Sequence, residues 1–363
     1  MSQHSFEKRI EKLRLLLADD SEAILITNET NVGYFTDFQH SEGSLIVTRA
    51  KNIFLVDFRY FEAAQKYAKC CEVVCFSKFY ADVLDILKKM NIKSLFIEIS
   101  DVSLFRYNLM KKSFSENGIQ CITTQQLDKK ISQIRLIKDD DECSKILKAQ
   151  QITEKSYIEV LNYLKPGVTE RKIALELEHF MKLNGAERVS FDLITITGKK
   201  TSLPHGVPSD DVVCDGDFFT MDIGAVFEGY HSDTTRTVAI KHVSEEQKKI
   251  YNIVLKAQLA VLDAVKPNIK CSEIDSVARN IISDAGYSKC FGHATGHGVG
   301  LEIHEAPAVS PKSDILLEEG MIITDEPGIY LPNKFGVRIE DILCVTKNGY
   351  KNFVTLPKEL IIV

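Results

Sequence analysis

No stretch of this chain approaches the length of uninterrupted apolar sequence that crosses a bilayer, and no concentrated Lys/Arg run offsets a net charge of −6. The first absence sets aside a membrane-spanning helix. The second sets aside a protein that holds nucleic acid by neutralising phosphates. The opening MSQHSFEKRIEKLRLLLADD has no continuous apolar segment and no small-residue cleavage site, so it reads as an amphipathic helix rather than a secretion signal. Nine cysteines, odd in number and scattered, form no CxxC pair. Cys70-Cys71 with Cys75 lacks a matching group of ligands, so the expectation is reduced thiols in a cytoplasmic protein. HExxH, the GxSxG elbow and the P-loop are all missing, which removes the single-zinc helix, the serine-hydrolase turn and the nucleotide cradle.

What is present is ample core-forming sequence: 363 residues, 44% hydrophobic and 26% charged, enough for two domains. Residues 1 to 125 alternate short apolar strands (23–27, 44–48, 52–56, 72–76, 94–99 and 119–123) with helical stretches at 60–69, 79–90 and one ending at Asn117-Gly118. This pattern predicts an α/β domain with a sheet covered on both sides. It holds no chemical cluster: His4 and His40 stand alone, and Asp57, Arg59 and Tyr60 read as surface or core pairing. A polar connector is expected over 125–136, with the domain boundary near residue 125. A long helix then opens on Lys138-Asp139-Asp140-Asp141-Glu142, whose acids suit a first helical turn.

Residues 126–363 carry an internal echo. Lys165-Pro166, Ile173 and Gly185 recur as Lys266-Pro267, Ile274 and Gly286, all at an offset of 101. Each Lys-Pro follows an amphipathic helix and precedes another, at 170–183 and 272–285. The expected fold is a duplicated α+β domain with a two-fold pseudo-repeat, its antiparallel strands meeting in a central sheet backed by helices.

Each half offers an acid-bearing hairpin. In FFTMDIGAVFEGYHSDTTRTVAI a turn near Phe227-Glu228-Gly229 places Asp222 and Asp233 directly opposite and on one face. In the second half Glu326 and Glu340 are symmetric about Asn333. Cross-strand carboxylates lie roughly 5 Å apart and repel; four of them on one sheet need cations among them. Arg338, two residues before Glu340, shares its strand face as an ion-pair partner or substrate contact. Between the hairpins, FGHATGHGVGLEIHE places His293, His297 and His304 among four glycines, and His205, earlier in Leu203-Pro204-His205-Gly206, is a fourth candidate. Oxygen-rich ligands with an imidazole suit Mn, Co, Fe or Zn rather than a thiolate site, and two such ions activate water for hydrolysis.

These residues resemble the pita-bread metallopeptidase family, which includes methionine aminopeptidase, prolidase, Xaa-Pro aminopeptidase and creatinase. PHG, MDIGAVFEGYHSDTTRT, GHATGHGVGLEIHE, DEPGIYLP and GVRIED appear in order and cover the second domain. The first domain, with TNETNVGYFTDF, is similar to the amino-terminal domain of the proline-specific and creatinase branch. The resemblance implies that Asp222 chelates one metal, that Asp233 and Glu340 bridge two, and that His297 and Glu326 hold the second. It further implies that Glu326 is the general base and that His205, His293 and His304 position substrate and stabilise the tetrahedral intermediate, with Arg338 matching as well. One departure is Asp325, where an apolar residue is expected. The implied activity is hydrolysis of the bond between an N-terminal residue and proline by two divalent ions, with manganese foremost and Co, Zn or Fe as alternatives. An Xaa-Pro aminopeptidase is the leading expectation, with prolidase the alternative. A creatinase-like amidinohydrolase and a non-catalytic binding module come behind them. The expected partners are a peptide with proline second, no nucleic acid, no membrane, and a second copy in a homodimer.

Overall fold

The computed structural model describes residues 3–39 and 41–363, with side chains from residue 5 apart from residue 40; His40 and the side chain of His4 therefore lie outside the described residues. The chain divides into two compact units, Met1–Arg135 and Leu136–Val363, so the division falls ten residues beyond the boundary expected near 125. The reason lies in the stretch expected to be a connector. It carries Leu127, Ile131 and Ile134 at helical spacing, and forms a helix that buries all three.

The first unit contains helices α1 (Gln3–Arg14), α2 (Glu29–Thr36), α3 (Phe58–Tyr67), α4 (Phe79–Lys89), α5 (Leu104–Ser115) and α6 (Gln126–Leu136). Its strands are β1 (Glu22–Ile26), β2 (Ser44–Val47), β3 (Asn52–Val56), β4 (Glu72–Cys75), β5 (Ser94–Ile97) and β6 (Gln120–Ile122). They form one sheet in the order β4-β3-β2-β1-β5-β6. The pairs β3–β4, β1–β5 and β5–β6 are parallel, while β2 runs against both its neighbours. Strands with every residue from the second onward buried, such as Ala23–Ile26 and Ile53–Val56, are the continuous apolar runs of a sheet covered on both faces. Asp57 caps α3 by accepting the Arg59 N–H, and Arg59 pairs with Glu42 and Asp57 at the surface.

The second unit contains α7 (Asp140–Leu161), α8 (Glu170–Leu183), α9 (Glu245–Ala264) and α10 (Cys271–Asp284). Its first-half strands are β7 (Arg188–Val189), β8 (Ile194–Thr197), β9 (Phe218–Ile223), β10 (Ala225–Phe227), β11 (Tyr230–His231) and β12 (Thr234–Ala239). The second half adds β13 (Gly296–Gly298), β14 (Glu305–Val309), β15 (Ile322–Asp325), β16 (Gly328–Leu331), β17 (Phe335–Arg338), β18 (Asp341–Thr346) and β19 (Gly349–Asn352). The pita-bread duplication is written in the backbone. The Gly167, Glu170 and Arg171 N–H groups donate to the carbonyls of Val213, Asp211 and Ser209; those of Asn268, Cys271 and Ser272 donate to Leu317, Ile315 and Ser313. Capping boxes at Asp139 and Ser244 open the first helix of each half.

The expected single sheet is broken into four ladders: β12-β9-β8, β11-β10-β7, β14-β13-β15-β18-β19 and β16-β17. Hydrogen bonds stitch the halves where the ladders stop, with the Glu340 N–H donating to Thr235 O (3.1 Å) and the Thr237 hydroxyl to Arg338 O (3.1 Å). Two apolar clusters fill the unit, one beneath α7 and α8 around Tyr157 and Phe219, the other beneath α9 and α10 around Tyr251 and Val337.

Candidate metal centre

The two hairpins differ in how their acids meet. In the first, Glu228 and Gly229 take positive φ at a two-residue turn and Phe227 pairs with Tyr230. That turn is centred later than expected, so Asp222 stands opposite Thr235, not Asp233. The offset is two residues, an even number, so Asp233 still shares the face of Asp222. The second hairpin keeps its expected register: Asp325 pairs with Asp341 and Gly328 with Arg338. Glu326 and Glu340 lie between those pairs, opposite each other. Asp233, Glu326 and Glu340 all fall where a strand is interrupted, so their side chains leave the ladder at the junction of the two halves.

His297 is delivered by β13, pressed between close backbones. A Cβ at Gly296 would sit 2.0 Å from Thr324 O, and one at Gly298 2.1 Å from Ala306 O. Glycine is thus required on both sides of the histidine. The His297 N–H donates to the Thr324 hydroxyl (3.0 Å). Its Nδ1 faces Gly298 O at 3.1 Å and must donate to it.

All nine residues singled out from the sequence line one cavity of about 630 Å³: His205, Asp222, Asp233, His293, His297, His304, Glu326, Arg338 and Glu340. With Nδ1 donating, His297 turns an unprotonated Nε2 to Asp233 Oδ2 (3.5 Å) and Glu326 Oε1 (3.4 Å). Burial holds this imidazole neutral, with its pKa lowered to about 4. Three acceptors facing one another across such distances repel unless a cation lies among them. Ligand atoms of Asp233, His297 and Glu340 lie within 4.8 Å of one another. Burial, then mutual repulsion, raises Asp233 and Glu340 well above the carboxylate range, and burial pushes Glu326 up to about 8. Asp222 Oδ1 is buried without a partner among the described residues. This donor set fits divalent cations.

Hydroxyls orient the acids from behind. Thr235 Oγ1 donates to Glu340 Oε2 (2.7 Å), and Thr324 Oγ1 to Glu326 Oε1 (3.2 Å). Arg338 reaches Asp222 Oδ2 (2.6 Å), the Tyr330 hydroxyl (2.9 Å), Thr235 Oγ1 (3.0 Å) and Pro204 O (3.4 Å). Tyr330, overlooked in the sequence, closes a chain. Its hydroxyl lies 2.9 Å from His293 Nε2, while His293 Nδ1 faces Ala294 O at 2.8 Å. Both ring nitrogens of His293 are therefore engaged. The His297 and His304 rings stand edge to face at 4.4 Å. Asp325 does not line this cavity; it is fully buried and, among the described residues, neither oxygen has a partner.

Duplicated halves, an acidic cavity at their junction and a neutral imidazole define a metal-dependent hydrolase. The model of metallopeptidase family M24 matches residues 144–347, and that of the Creatinase/Prolidase N-terminal domain matches residues 9–137. The chain belongs to metallopeptidase family M24. It is 37% identical to the Xaa-Pro dipeptidase of Pyrococcus furiosus over 98% of this chain and 100% of that one. Among solved structures, an Xaa-Pro dipeptidase from Bacillus anthracis is similar with a TM-score of 0.95 and 39% identity, covering 99% of this chain and 100% of that one. An X-Pro aminopeptidase from Thermotoga maritima gives 0.90 and 35%, over 98% and 100%.

Proposed function

We propose that this metallopeptidase hydrolyses the bond between an N-terminal residue and a following proline, using two divalent ions held by Asp222, Asp233, His297, Glu326 and Glu340. The observation that carries the metal assignment is the neutral Nε2 of His297 facing two carboxylate oxygens at 3.4 and 3.5 Å. Manganese is the first ion to test, since the donors are oxygen-rich. Ions bound there polarise a carbonyl and lower the pKa of a water. Asp222, Asp233 and Glu340 act as ligands. Glu326 takes a proton from the attacking water and gives it to the leaving proline nitrogen. That nitrogen belongs to a tertiary amide and has no hydrogen of its own. His205, His293 and His304 position the substrate, and His293 also holds the Tyr330 hydroxyl beside Arg338. The cytoplasmic location expected from the scattered thiols, and the homodimer implied by the resemblance, belong to the same reading.

The dipeptidase reading leads, because the Pyrococcus relative and the Bacillus structure carry that name. Cleavage of longer peptides is the second reading. A dipeptide brings a carboxylate into the cavity, and among the described lining residues Arg338 is the one Lys or Arg, already committed to four partners. Metal-stripped protein resupplied with Mn²⁺, Co²⁺ or Zn²⁺ separates the two on Ala-Pro and Ala-Pro-Ala. Cleavage of the dipeptide alone gives the first reading, and cleavage of the tripeptide gives the second. No cleavage with any metal removes both.

A further inference from the structure

In each half of the second unit, a fully buried carboxylate on the second helix ties down a loop that carries a histidine. In the first half it is Glu170, at the start of α8. Its Oε1 accepts the Thr197 N–H (2.8 Å). Its Oε2 accepts the N–H and hydroxyl of Ser209 (2.9 and 3.0 Å) and Lys200 Nζ (2.6 Å). Thr197 and Ser209 bracket the loop on which His205 stands, and that loop has a single short 3₁₀ turn, Gly198–Ser202, to stiffen it.

In the second half the carboxylate is Asp275 on α10, again fully buried. Its Oδ1 accepts the N–H and hydroxyl of Thr295 (3.2 and 3.0 Å). Both oxygens take Arg279, each at 2.8 Å. Arg279 spends two further donors on the same loop, reaching Phe291 O (3.1 Å) and His293 O (2.9 Å), with its guanidinium 4.5 Å from the centre of the Phe291 ring. His293 is thus gripped by its own carbonyl. Thr295 O in turn accepts the Glu326 N–H (2.8 Å).

These acids are not repeat counterparts. At the offset of 101, Glu170 corresponds to Cys271, and Asp275 to Ala174. The halves reach one arrangement from different positions. Neither acid lines the metal cavity. A buried ion pair is a poor source of net stability, since desolvation offsets the attraction. What the arrangement supplies is fixed geometry, through multidentate bonds to loop backbone at both ends of one histidine loop and along the other.

We propose that Glu170 is the positioning residue for His205, and that the Asp275–Arg279 pair is the positioning group for His293. The proposal rests on the reading of those histidines as parts of the substrate site. Each histidine is held by its own half, so each can be displaced without the other.

The test uses the full-length, Zn²⁺-loaded protein with ¹⁵N-labelled histidine. Imidazole resonances are assigned with His205→Gln and His293→Gln. Glu170→Gln is expected to move the His205 signals and leave those of His293; Asp275→Asn and Arg279→Lys are expected to do the reverse. The same variants should keep the metal content of the parent protein while kcat/KM on the cleaved Xaa-Pro peptide falls by about tenfold or more, as expected when reacting groups are misplaced by a fraction of an ångström. Should a charge variant not fold, Thr295→Val removes the hydroxyl bond to Asp275, Ser209→Ala removes the hydroxyl that donates to Glu170 and accepts from Lys200 and the Asp211 N–H, and the two carry the same opposite expectations. Signals that move together, or not at all, overturn the proposal, as does activity lost only in proportion to metal. If the parent cleaves no Xaa-Pro peptide, the ring signals still decide the positioning claim, and only the functional reading fails.

Discussion

Arg338 Nη2 lies 2.6 Å from Asp222 Oδ2, with the arginine side chain almost completely buried. The contact occupies one oxygen of the carboxylate. The other, Oδ1, is buried without a partner among the described residues and, on the proposed function, is the one left to face a cation. Arg338 thereby fixes which oxygen of Asp222 is available. It also joins that acid to His293 through the Tyr330 hydroxyl.

Removing the guanidinium should therefore damage both metal and substrate binding. Arg338→Met is expected to lower kcat/KM by about 10²-fold, the scale of losing a preorganised charged donor. It should also weaken retention of one of two metals, since Asp222 loses the contact that orients its carboxylate. Elemental analysis after dialysis and steady-state kinetics check this. Two firmly retained metals and near-normal kinetics would show that Asp222 orients itself.

Asp233→Asn separates stability from activity. In metal-free protein Asp233 is crowded by Glu340, Asp222 and Glu326, and burial with that repulsion raises its pKa. The amide relieves the repulsion, so the metal-free variant should unfold at a higher temperature than metal-free parent at pH 8. Added Mn²⁺ should stabilise the parent far more than the variant, and turnover should be abolished. A variant that is less stable without metal would contradict the electrostatic account.

The pH dependence has a definite sign. Glu326 sits near pKa 8 against 4.5 for an ordinary glutamate, and Asp233 and Glu340 are raised too. A raised carboxyl means the folded, metal-free chain binds more protons than the unfolded one. Its stability is highest below the unfolded value and falls as pH rises toward 8. Metal binding must displace those protons. Calorimetry at pH 7 in buffers of different ionisation enthalpy should show proton release, with affinity rising between pH 6 and 8. Binding without proton release would count against it.

Asp325 gives a test away from the chemistry. It pairs in register with Asp341, which is satisfied by Arg236 (2.8 Å), Lys358 (2.8 Å), Asn352 (2.6 Å) and Gln258 (3.2 Å). Among the described residues, both oxygens of Asp325 lack a partner. Asp325→Val should stabilise the metal-free fold by roughly 2 kcal/mol, from the cost of an unpaired buried polar group, read as a rise in melting temperature. A lower melting temperature would mean that Asp325 has a partner in solution.

Much of this was legible in the residues. Glu326 and Glu340 could be placed opposite each other because the second hairpin keeps one register on both sides of its interruption. The first hairpin is less legible, since its turn is Glu228-Gly229, with a non-glycine residue at positive φ. The resulting offset of two residues preserves the face and loses the direct opposition. The α6 helix was hidden by its polar residues, although Leu127, Ile131 and Ile134 held the signal. Tyr330 could not be found from its neighbours, because a tyrosine beside Ile329 in a strand reads as core. Its role comes from a hydroxyl that meets residues 37 and 8 positions away. Glu170 and Asp275 were hidden for a related reason. Glu170, in a first helical turn, has an ordinary explanation in the helix dipole, Asp275 reads as one more acid along a helix, and only the folded loops show what they hold.

The central claim is a pair of cations among five named side chains. The most direct measurement is anomalous diffraction at the manganese edge from crystals of the protein grown with Mn²⁺. Two peaks are expected in the cavity, both in contact with Asp233 and Glu340, one also with Asp222 and the other with His297 and Glu326. A single peak, or peaks confined to residues outside this set, would contradict the account.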